Sequence, residues 1–124
     1  MGSAQGRLNL PVNGEDISVP DARYWRCPKC REVVLGFSQA RRLRKRAVEI
    51  YRRKHRLLSP GEIRSLRQRS RLTRVTLGRL LRLEPRTISR WESGRNVQPA
   101  AVDVLLRLIR DLPGGLDYLR KHAA

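Results

Sequence analysis

Apolar residues change their spacing once along this chain, and the change falls at Ser38. Before it, Leu8, Leu10 and Val12 alternate with polar or small residues, Asn13-Gly14 follows, and Ile17 and Val19 resume the alternation. A period of two puts these side chains on one face of an extended strand, and Asn-Gly supplies the two positive-φ positions of a tight hairpin turn. A short extended YWRC, the pair CPKC and an apolar VVL closed by Gly36 complete a β-rich stretch. Beyond Ser38, in SQARRLRKRAVEIYRRKHRLL, Leu43, Ala47, Ile50 and Tyr51 recur at i, i+4, i+7 and i+8, the stripe of a helix. A strand pattern and a helix pattern do not substitute for one another, so the backbone must switch type here.

The rest of the chain reads as five short helices. Ser59-Pro60-Gly61-Glu62 fits a capping box, with Ser59 as the cap, Pro60 in the first turn and Glu62 reaching back. The helix it opens has Ile63, Leu66 and the stem of Arg67 inward and runs to about Ser70. Thr73 caps the next, with Leu77, Leu80 and Leu81 inward; the chain turns between Arg82 and Glu84, and Pro85 opens a third helix that Gly94 ends. After RNVQP, Val102, Leu105, Leu106 and Ile109 recur at helical spacing, and LDYLRK follows Pro113-Gly114-Gly115. The expected fold is mainly α. Residues 1–37 form a small β-rich CxxC module, 38–58 a basic linking helix, and 59–124 a five-helix domain.

Charge narrows the partner. Twenty-eight Lys and Arg against 11 Asp and Glu leave a net charge of +17, which favours a polyanion, either nucleic acid or an anionic membrane surface. No run approaches the roughly 18 consecutive apolar residues of a bilayer crossing. MGSAQGRLNL has no apolar secretory core, so a cytoplasmic protein is expected. In that compartment Cys27 and Cys30 are metal ligands or idle thiols rather than a structural disulfide.

The segment RTISRWESG, residues 86–94, sharpens the partner further. Ile88 and Trp91 are three apart and share the buried face of a helix, which turns Arg86, Thr87, Ser89 and Arg90 outward. Cations and hydroxyls together suit phosphates and base edges. Two helices joined by a three- or four-residue turn, the second so decorated, describe a helix-turn-helix. LTRVTLGRLLRLEPRTISRWESG, residues 72–94, closely resembles the Xre or lambda-repressor-like helix-turn-helix. With YRRKHRLLSPGEIRSLRQ before it and CPKC upstream, the chain looks like an MqsA- or YgiT-type antitoxin, in which a zinc-binding module precedes an Xre domain.

That resemblance implies roles residue by residue. Arg86 and Arg90 stand where the family reads bases, while Thr87, Ser89 and Ser93 stand against phosphates. Thr73 and Arg74, with Arg95 and Asn96, fall where the family grips the DNA backbone, and Ile88 and Trp91 wedge against Leu77 and Leu81. The sequence departs from the pattern at Arg74, where Gln is usual, at Arg82, where Gly is usual in the turn, and at Glu84, an acid in place of the Ser or Thr cap. The implied function is a sequence-specific repressor of the antitoxin type, a homodimer on a palindromic operator in double-stranded DNA. It would autoregulate its operon and bind a toxin protein through the N-terminal module.

Several alternatives stay open on the residues alone. A structural zinc site wants four ligands and the resemblance implies two CxxC pairs, but Cys27 and Cys30 are the chain's two cysteines, and His55 and His122 stand at no ligand spacing. The pair can bind no metal, share a zinc between two chains, or serve redox chemistry. The cations at 41–46 and 52–54 can form a solvated face or touch phosphates. A phage or mobile-element repressor without a toxin is the runner-up function, and an RNA-binding protein is a third. Two Trp, three Tyr and one Phe leave few platforms for stacking bases, which disfavours RNA. No paired carboxylates or His-centred constellation points to an enzyme.

Overall fold

A computed structural model of the chain describes residues 2–122 and divides it into two units, one ending at Lys54 and the other beginning at His55. In the first, β1 (Gly2–Val12), β2 (Glu15–Arg26) and β3 (Val33–Val34) form an antiparallel sheet in chain order, and α1 (Phe37–Lys54) packs on it. Asn13 and Gly14 take φ of 49° and 82° at the hairpin turn, as the Asn-Gly pair predicts. The strand after the turn continues through Tyr24-Trp25-Arg26 instead of ending at Val19. A register shift between Gly6 and Leu8 makes this possible, because the extra residue lies in β2, at Pro20-Asp21. Ile17 and Val19 therefore share their buried face with Ala22 and Tyr24, although the parity of the numbering changes.

The basic helix belongs to this first unit. Leu43, Ala47 and Val48 are buried and α1 packs on β2, and the helix expected over 38–58 ends at Lys54, with residues 55–59 outside any helix. Several cations assigned to its solvated side have internal work. Arg44 donates to the carbonyl of Pro11 at 2.7 Å. Arg46 donates to the carbonyls of Pro20 and Asp21 in the bulge. Arg52, expected outward, is buried, one turn past Val48, and pairs with Glu49 at 2.5 Å. Long aliphatic stems let Arg44 and Arg46 cover the sheet while their heads reach strand carbonyls.

The second unit holds α2 (Pro60–Arg69), α3 (Arg74–Leu81), α4 (Pro85–Glu92), α5 (Ala100–Asp111) and α6 (Gly115–His122). The capping box forms in full: Ser59 accepts from the Glu62 amide and the Glu62 carboxylate accepts from the Ser59 amide, each at 3.1 Å. Thr73 caps α3 as expected. Glu84 occupies the cap position of α4 but makes no side-chain cap bond, leaving Pro85 as the start signal. Leu58, Ile63, Leu66, Leu72, Leu77, Ile88, Trp91, Leu106 and Ile109 form the core, with Leu80, Leu81 and Val102 packed against it. Leu105, grouped by spacing with the inner stripe of α5, is instead 36% exposed, because Leu106 and Ile109 take the inward direction.

Two buried carboxylates join these helices. Glu92, at the end of α4, accepts two hydrogen bonds from Arg67 of α2, at 2.9 and 3.0 Å, and one from Arg74 of α3 at 3.3 Å. Arg64 adds a bond to the Glu92 carbonyl at 3.1 Å. Asp103 of α5 accepts from the Leu58 amide and from Gln98, both at 2.9 Å, and from Arg107 at 2.8 Å. Burial pushes the Glu92 carboxyl up, but the hydrogen bonds and charge of Arg67, with Arg74, outweigh it and hold the group below the usual carboxylate range. Asp103 is likewise lowered: the Leu58 amide, Arg107 and Gln98 overcome the effect of burial.

A carboxyl depressed in the folded state contributes stability above its unfolded pKa, and that stability is lost as pH falls through the folded value. Urea unfolding followed by circular dichroism should therefore show a steep loss of stability below about pH 4.3. Glu92→Gln should cost about 3 kcal/mol at neutral pH and flatten that acid loss; equal midpoints for variant and parent at pH 7 would refute the role of the network. The turn after α3 gives a second test. A Cβ on Gly78 would lie 2.5 Å from the Leu83 carbonyl oxygen, a backbone atom. Gly78→Ala is expected to destabilise by about 2 kcal/mol in the same measurement.

Candidate nucleic-acid interface

The second and third helices of this unit meet at a turn that the chain makes without glycine. Arg82 takes φ 58° and ψ 43°, the left-handed conformation that glycine usually supplies, so the residue at this departure from the family pattern does carry strain. The Leu83 amide donates to the Gly78 carbonyl at 2.7 Å and closes the end of α3. The close approach is permitted because Gly78, not Arg82, is the residue without a side chain. Three residues, 82–84, separate α3 from α4, which matches the helix-turn-helix spacing.

α4 has a sharply divided surface. Ile88 is fully buried, and Trp91 and Glu92 are each 3% exposed, facing Leu77 and the rest of the core. Arg86, Ser89, Arg90 and Ser93 are exposed and Thr87 is half-buried. Arg86 and Arg90 are one turn apart on the same face. Neither guanidinium makes a hydrogen bond or ion pair among the described residues, whereas Arg64, Arg67 and Arg74 on the neighbouring helices all reach Glu92. Two forked donors held side by side on a rigid helix can each grip a guanine edge.

The remaining residues singled out from the sequence divide by how far the fold already uses them. Thr73 is exposed but accepts the Thr76 amide at 3.1 Å as the cap of α3. Arg74 reaches Glu92, with its side chain still 45% exposed. Ser93 donates its one hydroxyl proton to the Arg90 carbonyl at 3.1 Å and keeps only acceptor capacity. The amides of Arg95 and Asn96 share that same carbonyl, at 3.0 and 3.3 Å, which holds the loop after α4 close to its outer face. Arg95 is exposed and Ser89 is free of any tertiary burial. Leu77, Leu81, Ile88 and Trp91 pack in or against one core.

Glu92 is the residue that sequence reasoning missed. It stands four positions after Ile88 and next to Trp91, so its place on the buried face could be read from spacing. An acid on the inner face of a helix, in a chain with 28 cations, signals a buried partner for arginine. Gly78 was equally legible as a lone glycine inside a helical pattern.

In the first unit, CPKC forms the tip between β2 and β3. The Cys27 amide donates to the Glu32 carbonyl at 2.9 Å, the Arg31 amide to the Cys27 carbonyl at 2.8 Å, and Arg31 takes φ 59°. The backbone amides of Cys30 and Lys29, and then the Cys30 thiol, pull the Cys27 thiol below its ordinary range against the opposing effect of burial. Both thiols are free. Among the described residues no third Cys, His, Asp or Glu gathers with them, so the residues present do not make a four-ligand zinc site. His122 ends α6 and stacks on Tyr118, with ring centroids 4.3 Å apart, and His55 follows the last residue of α1.

On the same unit, Arg41, Arg42 and Lys45 of α1 are exposed. Ser38, Arg41, Arg42 and Lys45 line a shallow depression there. No helix of the described residues is long and apolar enough to cross a membrane.

Over 62 residues the chain is 36% identical to Antitoxin HigA-2 of Vibrio cholerae serotype O1, an alignment covering 50% of this chain and 60% of that protein. Residues 61–111, from the first turn of α2 to the end of α5, match the family model described as a helix-turn-helix domain, and α3 and α4 lie within the matched stretch.

Proposed function

We propose that this chain is a sequence-specific DNA-binding repressor of the antitoxin type. The observation that carries the reading is the outer face of α4, where Arg86 and Arg90 stand exposed and unengaged while Ile88, Trp91 and Glu92 lock the helix from behind. Arg86 and Arg90 read base edges in the major groove. Thr73, Arg74, Thr87, Ser89, Arg95 and Asn96 position the helix on phosphates, and Ser93 assists only as an acceptor or through water. The helix-turn-helix match supports DNA as the partner.

One α4 spans too few base pairs for useful selectivity, so a homodimer on a palindromic operator is the economical arrangement, with half-sites about 34 Å apart. The chain would control its own operon, act in the cytoplasm and catalyse no reaction. The likeness to a protein named as an antitoxin supports a toxin as second partner, and the hairpin unit outside the helix-turn-helix match is the segment left to hold it. A repressor without a toxin is the second reading. The net charge of +17 favours it, since a basic toxin would be repelled.

Fluorescence anisotropy on the operator region upstream of the gene and on scrambled DNA tests base reading. Arg86→Ala and Arg90→Ala should each weaken the operator complex by roughly 5- to 150-fold, equivalent to about 1–3 kcal/mol per bidentate contact, and leave scrambled DNA nearly unchanged. Equal losses on both would remove base reading from the proposal. Neutralising Arg41, Arg42 and Lys45 should lower the slope of log affinity against log salt by about 0.9 for each phosphate that these cations would otherwise neutralise. An unchanged slope returns those residues to solvent.

A further inference from the structure

Three successive helices, α2, α3 and α4, end in the same way. In each, two backbone amides turn back onto the last turn. Arg71 and Leu72 donate to the Gln68 and Arg67 carbonyls, both at 3.0 Å; Arg82 and Leu83 donate to Arg79 and Gly78 at 3.3 and 2.7 Å. Gly94 and Arg95 donate to Trp91 and Arg90 at 3.3 and 3.0 Å. This closure places one residue in the left-handed conformation, and that residue is usually glycine. α4 follows the rule with Gly94, at φ 79°, whereas α2 and α3 use Arg71 and Arg82, at φ 57° and 58°. A Cβ is strained there, so these two helix ends forgo stability that glycine would supply.

Nothing among the described residues offsets that strain. Both arginines are exposed, and neither guanidinium makes a hydrogen bond or ion pair among the described residues. Complementing the helix dipole does not require a left-handed cation, because Arg67 and Arg69 already stand in the last turn of α2 and Arg79 in that of α3. What the two positions share is their place. Arg71 lies two residues before the Thr73 cap and Arg82 directly follows Leu81, so they bracket the eight residues of α3, a helix about 12 Å long. The first helix of a helix-turn-helix crosses the DNA backbone, and cations at its two ends meet different phosphates. Strain without an internal reason points to an external ligand, and an unengaged guanidinium fork suits phosphate oxygens.

We propose that Arg71 and Arg82 are two further phosphate contacts of the DNA interface, held at positions where glycine would make the fold more stable. The inference rests on the DNA-binding reading above and adds to it a grip, independent of base sequence, at each end of α3.

The test sets stability against binding in the full chain. Arg71→Gly and Arg82→Gly fit the backbone already present, so each should raise the melting temperature without DNA by about 3 °C or more. Fluorescence anisotropy over a range of salt, on the operator region and on a duplex of random sequence, should show each variant weakened on both duplexes alike. The slope of log affinity against log salt should fall by about 0.9 per position. Lys121→Ser, which removes one charge from the last turn of α6, should leave that slope unchanged. A variant that melts lower than the parent, one that keeps the full slope, or a Lys121 variant that loses as much slope overturns the proposal. Full slopes in the Gly variants of a parent that still prefers its operator overturn this proposal alone. Reduced slopes with no operator preference in the parent refute base reading by α4 and leave the two phosphate contacts standing. A parent that binds neither duplex overturns both.

Discussion

The Glu92 carboxylate holds the second unit in its working shape. It lies at the end of α4, is almost wholly removed from water, and collects Arg67 from α2 and Arg74 from α3. A buried charge is tolerated only when hydrogen-bonded and paired, so all three helices are obliged to meet at this point. Because Ile88 lies one turn earlier on the same face, the carboxylate and the apolar wedge act together to set the rotation of α4 about its axis. That rotation decides which side chains of RTISRWESG reach solvent. The exposure of Arg86 and Arg90 is thus a consequence of what happens behind them.

A high arginine content serves two ends here. Arg44 and Arg46 satisfy strand carbonyls, Arg52 is buried beside Glu49, Arg67 and Arg74 serve Glu92, and Arg107 serves Asp103 and the Arg56 carbonyl. Arg is suited to both tasks, since its fork of donors can satisfy several acceptors while its charge persists. The long-range field of all these cations still draws the protein toward a polyanion, whichever of them touch it. On the proposed DNA-binding reading, specificity belongs to Arg86 and Arg90, which the fold leaves unengaged on α4.

Comparison of particular elements shows where sequence reasoning succeeds. The Asn13-Gly14 turn, the Ser59 capping box, the Thr73 cap and the inward set Leu77, Ile88 and Trp91 are all local statements, set by side chains within a few residues of one another, and each appears as read. Glu92 and Gly78 were legible from spacing and went unread. The bulge at Pro20-Asp21 was not legible, because the extra residue shows only as a change of parity whose partner, Arg7, lies across the sheet. Arg52 and Leu105 failed for a related reason: a helix with apolar residues on more than one side does not announce which side finds a neighbour.

The kind and order of the elements, the boundaries of the helices after Ser59, and the division of α4 into an apolar and a cationic face all follow from the residues in their order. Capping, turn chemistry and periodicity act over one or two turns of chain, so they are written in consecutive positions. Packing in three dimensions settled which arginines are occupied and which are free, that CPKC gathers no further ligand among the described residues, and that a row of leucines on α5 is left uncovered. Those outcomes depend on acceptors, ligands and packing surfaces brought together from distant parts of the chain, and a charge or a leucine carries no mark of the neighbour it will meet.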